Sequence, residues 1–149
     1  MVKSRISALA CETARARLRP EPMKDVSERQ RRGQQGEKLA RRFLRKLGYR
    51  FLAENYATQG GEIDLVMDDN GTLVFVEVKT RSCENFAPAQ LAVNYAKQQR
   101  LWKAARHLLL THNLVGRPLR FDVVAVIAPA GREKPVIRHY PNAFVPPNA

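Results

Sequence analysis

Asp64, Glu77 and Lys79 are the residues of this chain whose types and spacing point most directly to chemistry. All three fall within residues 60–81, GGEIDLVMDDNGTLVFVEVKTR, which read as two strands joined by a tight turn. Asn70-Gly71 supplies the turn, because a type I′ loop needs positive φ at both central residues. Counting outward sets the register: Asp69 faces Thr72, Val66 faces Phe75, Asp64 faces Glu77 and Glu62 faces Lys79. Directly opposed side chains have Cβ atoms roughly 5 Å apart. The turn therefore predicts two carboxylates side by side, with a second acid and a lysine one step along the same face.

Like charges opposed across a sheet destabilise it. Residues 73–78 are apolar on both faces apart from Glu77, the pattern of a covered central strand. Buried carboxylates need a compensating cation, a basic side chain or a shared proton. A divalent metal held by Asp64 and Glu77, with Lys79 beside it, meets that need. The plainer reading is an amphipathic hairpin with a solvated polar face, on which Glu62 and Lys79 merely pair.

Other elements must position these groups. A helix is expected over residues 34–47, where Leu39, Ala40, Phe43, Leu44 and Leu47 recur at helical spacing and Gly48 supplies a stop. Its other faces carry Lys38, Arg41, Arg42, Arg45 and Lys46, a basic surface suited to phosphates. Glu37 borders the apolar stripe; taken alone, it reads as an acid near a helix N-terminus stabilised by the dipole. A strand follows over 50–56, and Gly60-Gly61 turns the chain into the hairpin. Pro88 suits the first turn of a second helix, running to about His112, with Leu91, Tyr95, Trp102, Ala105 and Leu109 as its buried stripe. If that helix crosses the sheet, Lys97 at the stripe's edge is aimed at the carboxylates. Residues 119–128 read as a buried strand whose Asp122 pairs with Arg120 or a neighbouring strand's base, and 135–140 as an edge strand. The order is α/β: one sheet of four to five strands with helices on its faces. One domain over 33–140 is expected, with a weakly ordered basic arm at 1–32 and a tail at 141–149.

The charge balance narrows the partners. Lys and Arg outnumber Asp and Glu by 26 to 14, giving +12, and residues 1–50 alone carry 15 basic and 5 acidic residues. Such asymmetry points to a polyanion, most often nucleic acid. Cys11 and Cys83 stand far apart and His107, His112 and His139 form no zinc-ligand spacing, so neither a disulfide framework nor a zinc site is expected. No apolar run approaches the ~20 residues that span a bilayer. The expected compartment is the cytoplasm, with no membrane partner.

Taken together the segments resemble the PD-(D/E)xK, restriction-endonuclease-like superfamily: a glutamate on the first helix (Glu37), an aspartate on one strand (Asp64) and E-x-K on the next (Glu77-Val78-Lys79). The resemblance is closer to the YraN-like family of predicted bacterial endonucleases. It rests on GEIDL at 61–65, FVEVKTR at 75–81, Gly48-Tyr49, Lys97 and RFDVV at 120–124, and spans about residues 33–128. Ile63 stands where the superfamily's PD has its proline, which leaves the carboxylate in place. The resemblance implies an Mg²⁺- or Mn²⁺-dependent endonuclease acting on DNA in preference to RNA. Asp64, Glu77 and the Val78 carbonyl would be ligands, Lys79 would position the attacking water, and Glu37 would assist from the helix. Glu62, Arg81, Lys97, Arg41 and Arg45 follow as auxiliary or substrate-binding residues. A more distant similarity to archaeal Holliday junction resolvases implies a branched substrate and a homodimer. The competing reading is a non-catalytic basic protein on the same fold, binding DNA or associated with RNA or the ribosome.

Overall fold

The structure, a computed structural model, describes residues 27–83, 93–129, 131 and 134–146. Helix α1 spans Glu28–Lys46 and begins well before the expected residue 34. Ser27 accounts for the early start. Its hydroxyl accepts from the Gln30 N–H while the Gln30 side chain accepts from the Ser27 N–H, a capping box. Residues 28–32, assigned by sequence to the arm, are thus helical. At the other end Gly48, at φ 94°, ends the helix, and the Tyr49 N–H returns to the Leu44 carbonyl.

The chain continues as β1 (Arg50–Thr58), β2 (Gly61–Asp69), β3 (Thr72–Arg81), α2 (Tyr95–Thr111), β4 (Leu119–Ile127) and β5 (Val136–Phe144). The five strands lie in sequential order in one mixed sheet. All neighbouring pairs are antiparallel except β3–β4. That parallel pair requires a crossover, and α2 supplies it. The hairpin turn is as expected: Asn70 at φ 49° and Gly71 at φ 102° close it, and Asp69 pairs with Thr72 and Val66 with Phe75. The helices cover opposite faces. Leu101, Ala105 and Leu108 of α2 pack on Ile63, Val66 and Phe75, whereas Ala40 and Leu44 of α1 pack on Leu65, Met67 and Val76.

Three expectations need correcting. The second helix does not run unbroken from Pro88. Asn94 caps it by accepting from the Lys97 N–H, and Tyr95 is its first residue; Pro88 and Leu91 lie outside the described residues. Tyr95, expected in the buried stripe, is 65% exposed, because the first helical turn projects past the core and its hydroxyl takes a hydrogen bond from Gln99. The last strand continues to Phe144 through residues assigned to the tail, and Pro141 is tolerated because β5 is an edge strand.

Asp122 pairs with Arg120 as expected and is fully buried. His139 Nε2 at 2.8 Å and the Asn142 N–H complete its shell, while Arg120 also reaches Asp69 and the Tyr49 hydroxyl. Burial alone would raise the Asp122 pKa; the His139 and Arg120 hydrogen bonds outweigh it and hold the carboxyl below the usual range. This network ties β4 to β5 and to the hairpin tip, away from the carboxylate cleft.

Candidate functional site

The site forms where β1 and β2 lose their regular alternation. Residues two apart in a strand share a face. Yet Ala53 and Tyr56 of β1, and Ile63 and Val66 of β2, all pack on the α2 side. β2 therefore slips its alternation at Asp64, and β1 slips at Asn55 after an earlier bulge between Phe51 and Ala53. Asn55 stands at φ 50°, a left-handed conformation that Asn tolerates better than most residues. The β2–β3 ladder runs from Asp69↔Thr72 to Leu65↔Val76 and stops. The expected sheet pairs Asp64–Glu77 and Glu62–Lys79 consequently do not form. As the strands part, the Asp64 side chain takes over from main chain, and its Oδ2 accepts the Val78 N–H at 2.7 Å.

Asp64 and Glu77 nevertheless converge. Both line a cleft of about 820 Å³ between the first half of α1 and the ends of β3 and β4. Glu37, Val78 and Arg81 join them there, with Arg29 and Arg32 at the wall. Glycines permit the convergence. A Cβ on Gly36 would collide with Thr80 Oγ1, so only glycine lets α1 lie this close to β3 and bring Glu37 to the cleft. On the opposite face a Cβ on Gly61 would strike the Arg100 carbonyl, so β2 touches α2 one turn after Lys97.

Glu77 is reached by two lysines, one from its own strand and one from α2. Its side chain is 4% exposed, with Oε1 2.8 Å from Lys79 Nζ and Oε2 3.1 Å from Lys97 Nζ. The Lys97 contact is an ion pair by distance only. Its direction makes no hydrogen bond, which leaves Oε2 a buried oxygen without a hydrogen-bond partner. Burial is the main force raising the Asp64 pKa, the Glu77 charge adds to it, and together they push it up to about 7. The Val78 N–H and Lys97 oppose that rise, and Glu37 adds to it. Glu37 is itself raised, first by burial and then by Glu62, Glu54 and Glu77, against a stabilising hydrogen bond from Asn55. Asp64 thus feels both Glu77 and Glu37, and Glu37 feels Glu77.

A cation fits this donor set. An orphaned buried oxygen and a carboxyl whose pKa is pushed up by burial and the Glu77 charge are both relieved by positive charge. Among the described residues no three His, Cys, Asp or Glu side chains close into a ready-made cage. Mg²⁺ does not require one, since it keeps several waters and is held by one or two carboxylates.

The remaining sequence candidates divide. Lys97 reaches Glu77 as expected of a helix crossing the sheet. Glu62 is exposed and pairs with Ala57 in the β1–β2 ladder, near enough to act on Glu37. Arg41 is bound to Glu54 at 2.7 Å and lies over the Phe51 ring. Together with Arg45 it lines a separate basic hollow of about 490 Å³, shared with Lys38, Arg42 and Lys46. Neither arginine belongs to the carboxylate cleft. Sequence reasoning missed Arg29 and Arg32, whose helical state the Ser27/Gln30 box could have revealed. It also missed Asn55, for which only the left-handed tolerance of Asn was a signal.

A five-stranded mixed sheet flanked by two helices, with acids and lysines gathered where its strands part, is a restriction-endonuclease-like core. Residues 36–126 match the uncharacterised protein family UPF0102, the YraN-like family, and the chain belongs to it. A UPF0102 protein of Geobacter metallireducens is 42% identical over 112 residues, covering 75% of this chain and 90% of the relative. One of Myxococcus xanthus is 40% identical over 119 residues, 79% of this chain and 92% of the relative. One of Alkaliphilus metalliredigens is 41% identical over 110 residues, 74% and 93%. Among the described residues no helix is long and apolar enough to cross a membrane.

Proposed function

We propose that this protein is a divalent-metal-dependent endonuclease that hydrolyses phosphodiester bonds in DNA. The observation that carries the reading is the buried Glu77 Oε2, without a hydrogen-bond partner, beside Asp64 in a cleft walled by Arg29 and Arg32. Asp64 and Glu77, with the Val78 carbonyl, would hold Mg²⁺ or Mn²⁺. When bound, such an ion supplies Lewis-acid charge at the phosphoryl oxygen and lowers the pKa of a water. The chain's own residues supply the rest. Lys79, 2.8 Å from Glu77 Oε1, is a preorganised ammonium that offsets the charge developing on the phosphoryl group. Arg29 and Arg32 neutralise flanking phosphates at the cleft wall. Glu37 would support the cluster from α1 as a further acid lining the cleft.

The competing reading is a binder without turnover, to DNA or to RNA. Two lysines already balance Glu77 without any ion, and the basic hollow on α1 suits phosphates without chemistry. Incubating the protein with linear, flapped and four-way DNA in Mg²⁺ or Mn²⁺, beside Asp64→Ala and Lys79→Ala, separates the two. Cleavage by wild type, lost in both variants with binding retained, supports the enzyme. Binding without cleavage across metals and substrates would sink it and leave the binder.

A further inference from the structure

Glu77 has two carboxylate oxygens, and each faces an ammonium group: Lys79 at 2.8 Å from Oε1 and Lys97 at 3.1 Å from Oε2. Two-metal hydrolytic centres set their ions ~3.5–4 Å apart, which calls for a carboxylate shared between them. Asp64 is poorly placed to be shared, because its Oδ2 is held by the Val78 N–H at 2.7 Å. Glu77 is the other candidate, and its Oε1 is committed to Lys79 through the ion pair. Oε2 keeps a lone pair for one ion, since Lys97 stands beside it without donating a hydrogen bond to it.

Lys97 is not a wandering surface lysine. Its backbone is fixed in the first turn of α2 by the Asn94 cap, and Gly61 holds α2 hard against β2 one turn further on. Exposed ion pairs contribute little, but here the partner carboxylate is buried. The charges agree with the geometry. Counted with Glu37, Asp64 and Glu77 all ionised, as a bound ion would hold them, against Lys79 and Lys97, the cluster carries a net −1, which one divalent ion turns to +1. A second ion would make it +3 beside Arg29 and Arg32 before any substrate arrived.

We propose that the Lys97 ammonium stands in for a second cation, so that the cluster takes one divalent ion and not two. The inference rests on the nuclease reading above but makes a separate claim. It is tested by counting bound Mn²⁺ on the full chain, by calorimetry and by the loss of free-ion electron paramagnetic resonance signal. Wild type is expected to bind one ion at the cluster, lost in Asp64→Ala. Lys97→Gln is expected to bind that ion at least about tenfold more tightly, because a like charge within a few ångströms is gone. Lys97→Glu, which puts a carboxylate where the ammonium stood, is expected to admit a second ion, read as a count of two and dipolar broadening of the bound signal. Two ions lost together in Asp64→Ala from wild type would overturn the one-ion claim and leave the nuclease reading standing. A Lys97→Glu count that stays at one, in protein with an unaltered circular dichroism spectrum, would overturn it too. If wild type binds no ion, both readings fall.

Discussion

Replacing Asp64 by Asn should stabilise the metal-free protein at pH 8, although it deletes a residue of the candidate centre. Burial, then the Glu77 charge, lift the Asp64 pKa from its ordinary 3.8 to about 7. Between those values the folded chain holds a proton that the unfolded chain has released, so stability falls as pH rises from about 4 to about 7 and is flat above. At 1.36 kcal/mol per pKa unit, the full difference corresponds to roughly 4 kcal/mol of destabilisation at pH 8. Asn removes the charge but keeps a half-buried polar group to be satisfied, so a gain of about 2 kcal/mol is expected. Its carbonyl oxygen can still accept the Val78 N–H that Asp64 Oδ2 now takes. For a chain of this size that gain is roughly 4–8 °C in Tm. The assay is urea denaturation of both proteins at pH 5 and pH 8 with a chelator present. The difference should be small at pH 5, grow with pH and favour Asp64→Asn. Saturating Mn²⁺ should reverse the order, since wild type gains ~2.7 kcal/mol at a hundredfold excess over Kd and the variant does not. A variant less stable than wild type at pH 8 in chelator, or a difference indifferent to pH, would refute the reasoning.

Three further outcomes follow from the packing and charge. Gly36→Ala should cost about 1–3 kcal/mol despite alanine's better helix propensity, because its Cβ meets Thr80 Oγ1; adding Thr80→Ala should recover part of it in the same denaturation assay. Asp122→Ala should cost ~3–5 kcal/mol, because Arg120 loses its buried counter-charge and His139 its hydrogen-bond partner; a Tm within 2 °C of wild type would contradict that. The double variant Arg29→Ala/Arg32→Ala should flatten the slope of log K against log salt for duplex DNA by ~1.8, at ~0.9 per phosphate contact. Asp64→Ala should leave that slope unchanged, which distinguishes phosphate binding from chemistry.

Much of the fold was legible because its signals are local. Asn70-Gly71 dictated a type I′ turn whatever surrounded it, and the pairing of Asp69 with Thr72 followed. The apolar run of 119–128 gave β4, and Gly48 ended α1 where a left-handed residue was needed. What stayed hidden depended on contacts between distant segments. Residues 28–32 looked like an arm because hydrophobic period was the signal sought, whereas a capping box made them helical. His139 as the partner of Asp122 follows from the register of β5, which a bulge between Phe121 and Val123 shifts. Nothing local to either residue announces that contact.

The candidate site was read from the sequence on a register that the structure only partly keeps, and the difference bears on the proposed chemistry. A regular hairpin would have set Asp64 against Glu77 and Glu62 against Lys79, and each pair would have completed the ladder. The strands instead part beyond Leu65↔Val76. That gap frees Lys79 from Glu62, so it turns to Glu77, and leaves the Val78 N–H to be met by Asp64 rather than by main chain. An unbroken ladder would have kept the acids within the sheet and buried the Val78 carbonyl in its hydrogen bonding. The parted strands expose the acids to a cleft that α1 walls with arginines. The pleat brings acids and lysine within reach of one another, and its failure at Asn55 and Asp64 opens them to the cleft, which is what the proposed chemistry requires.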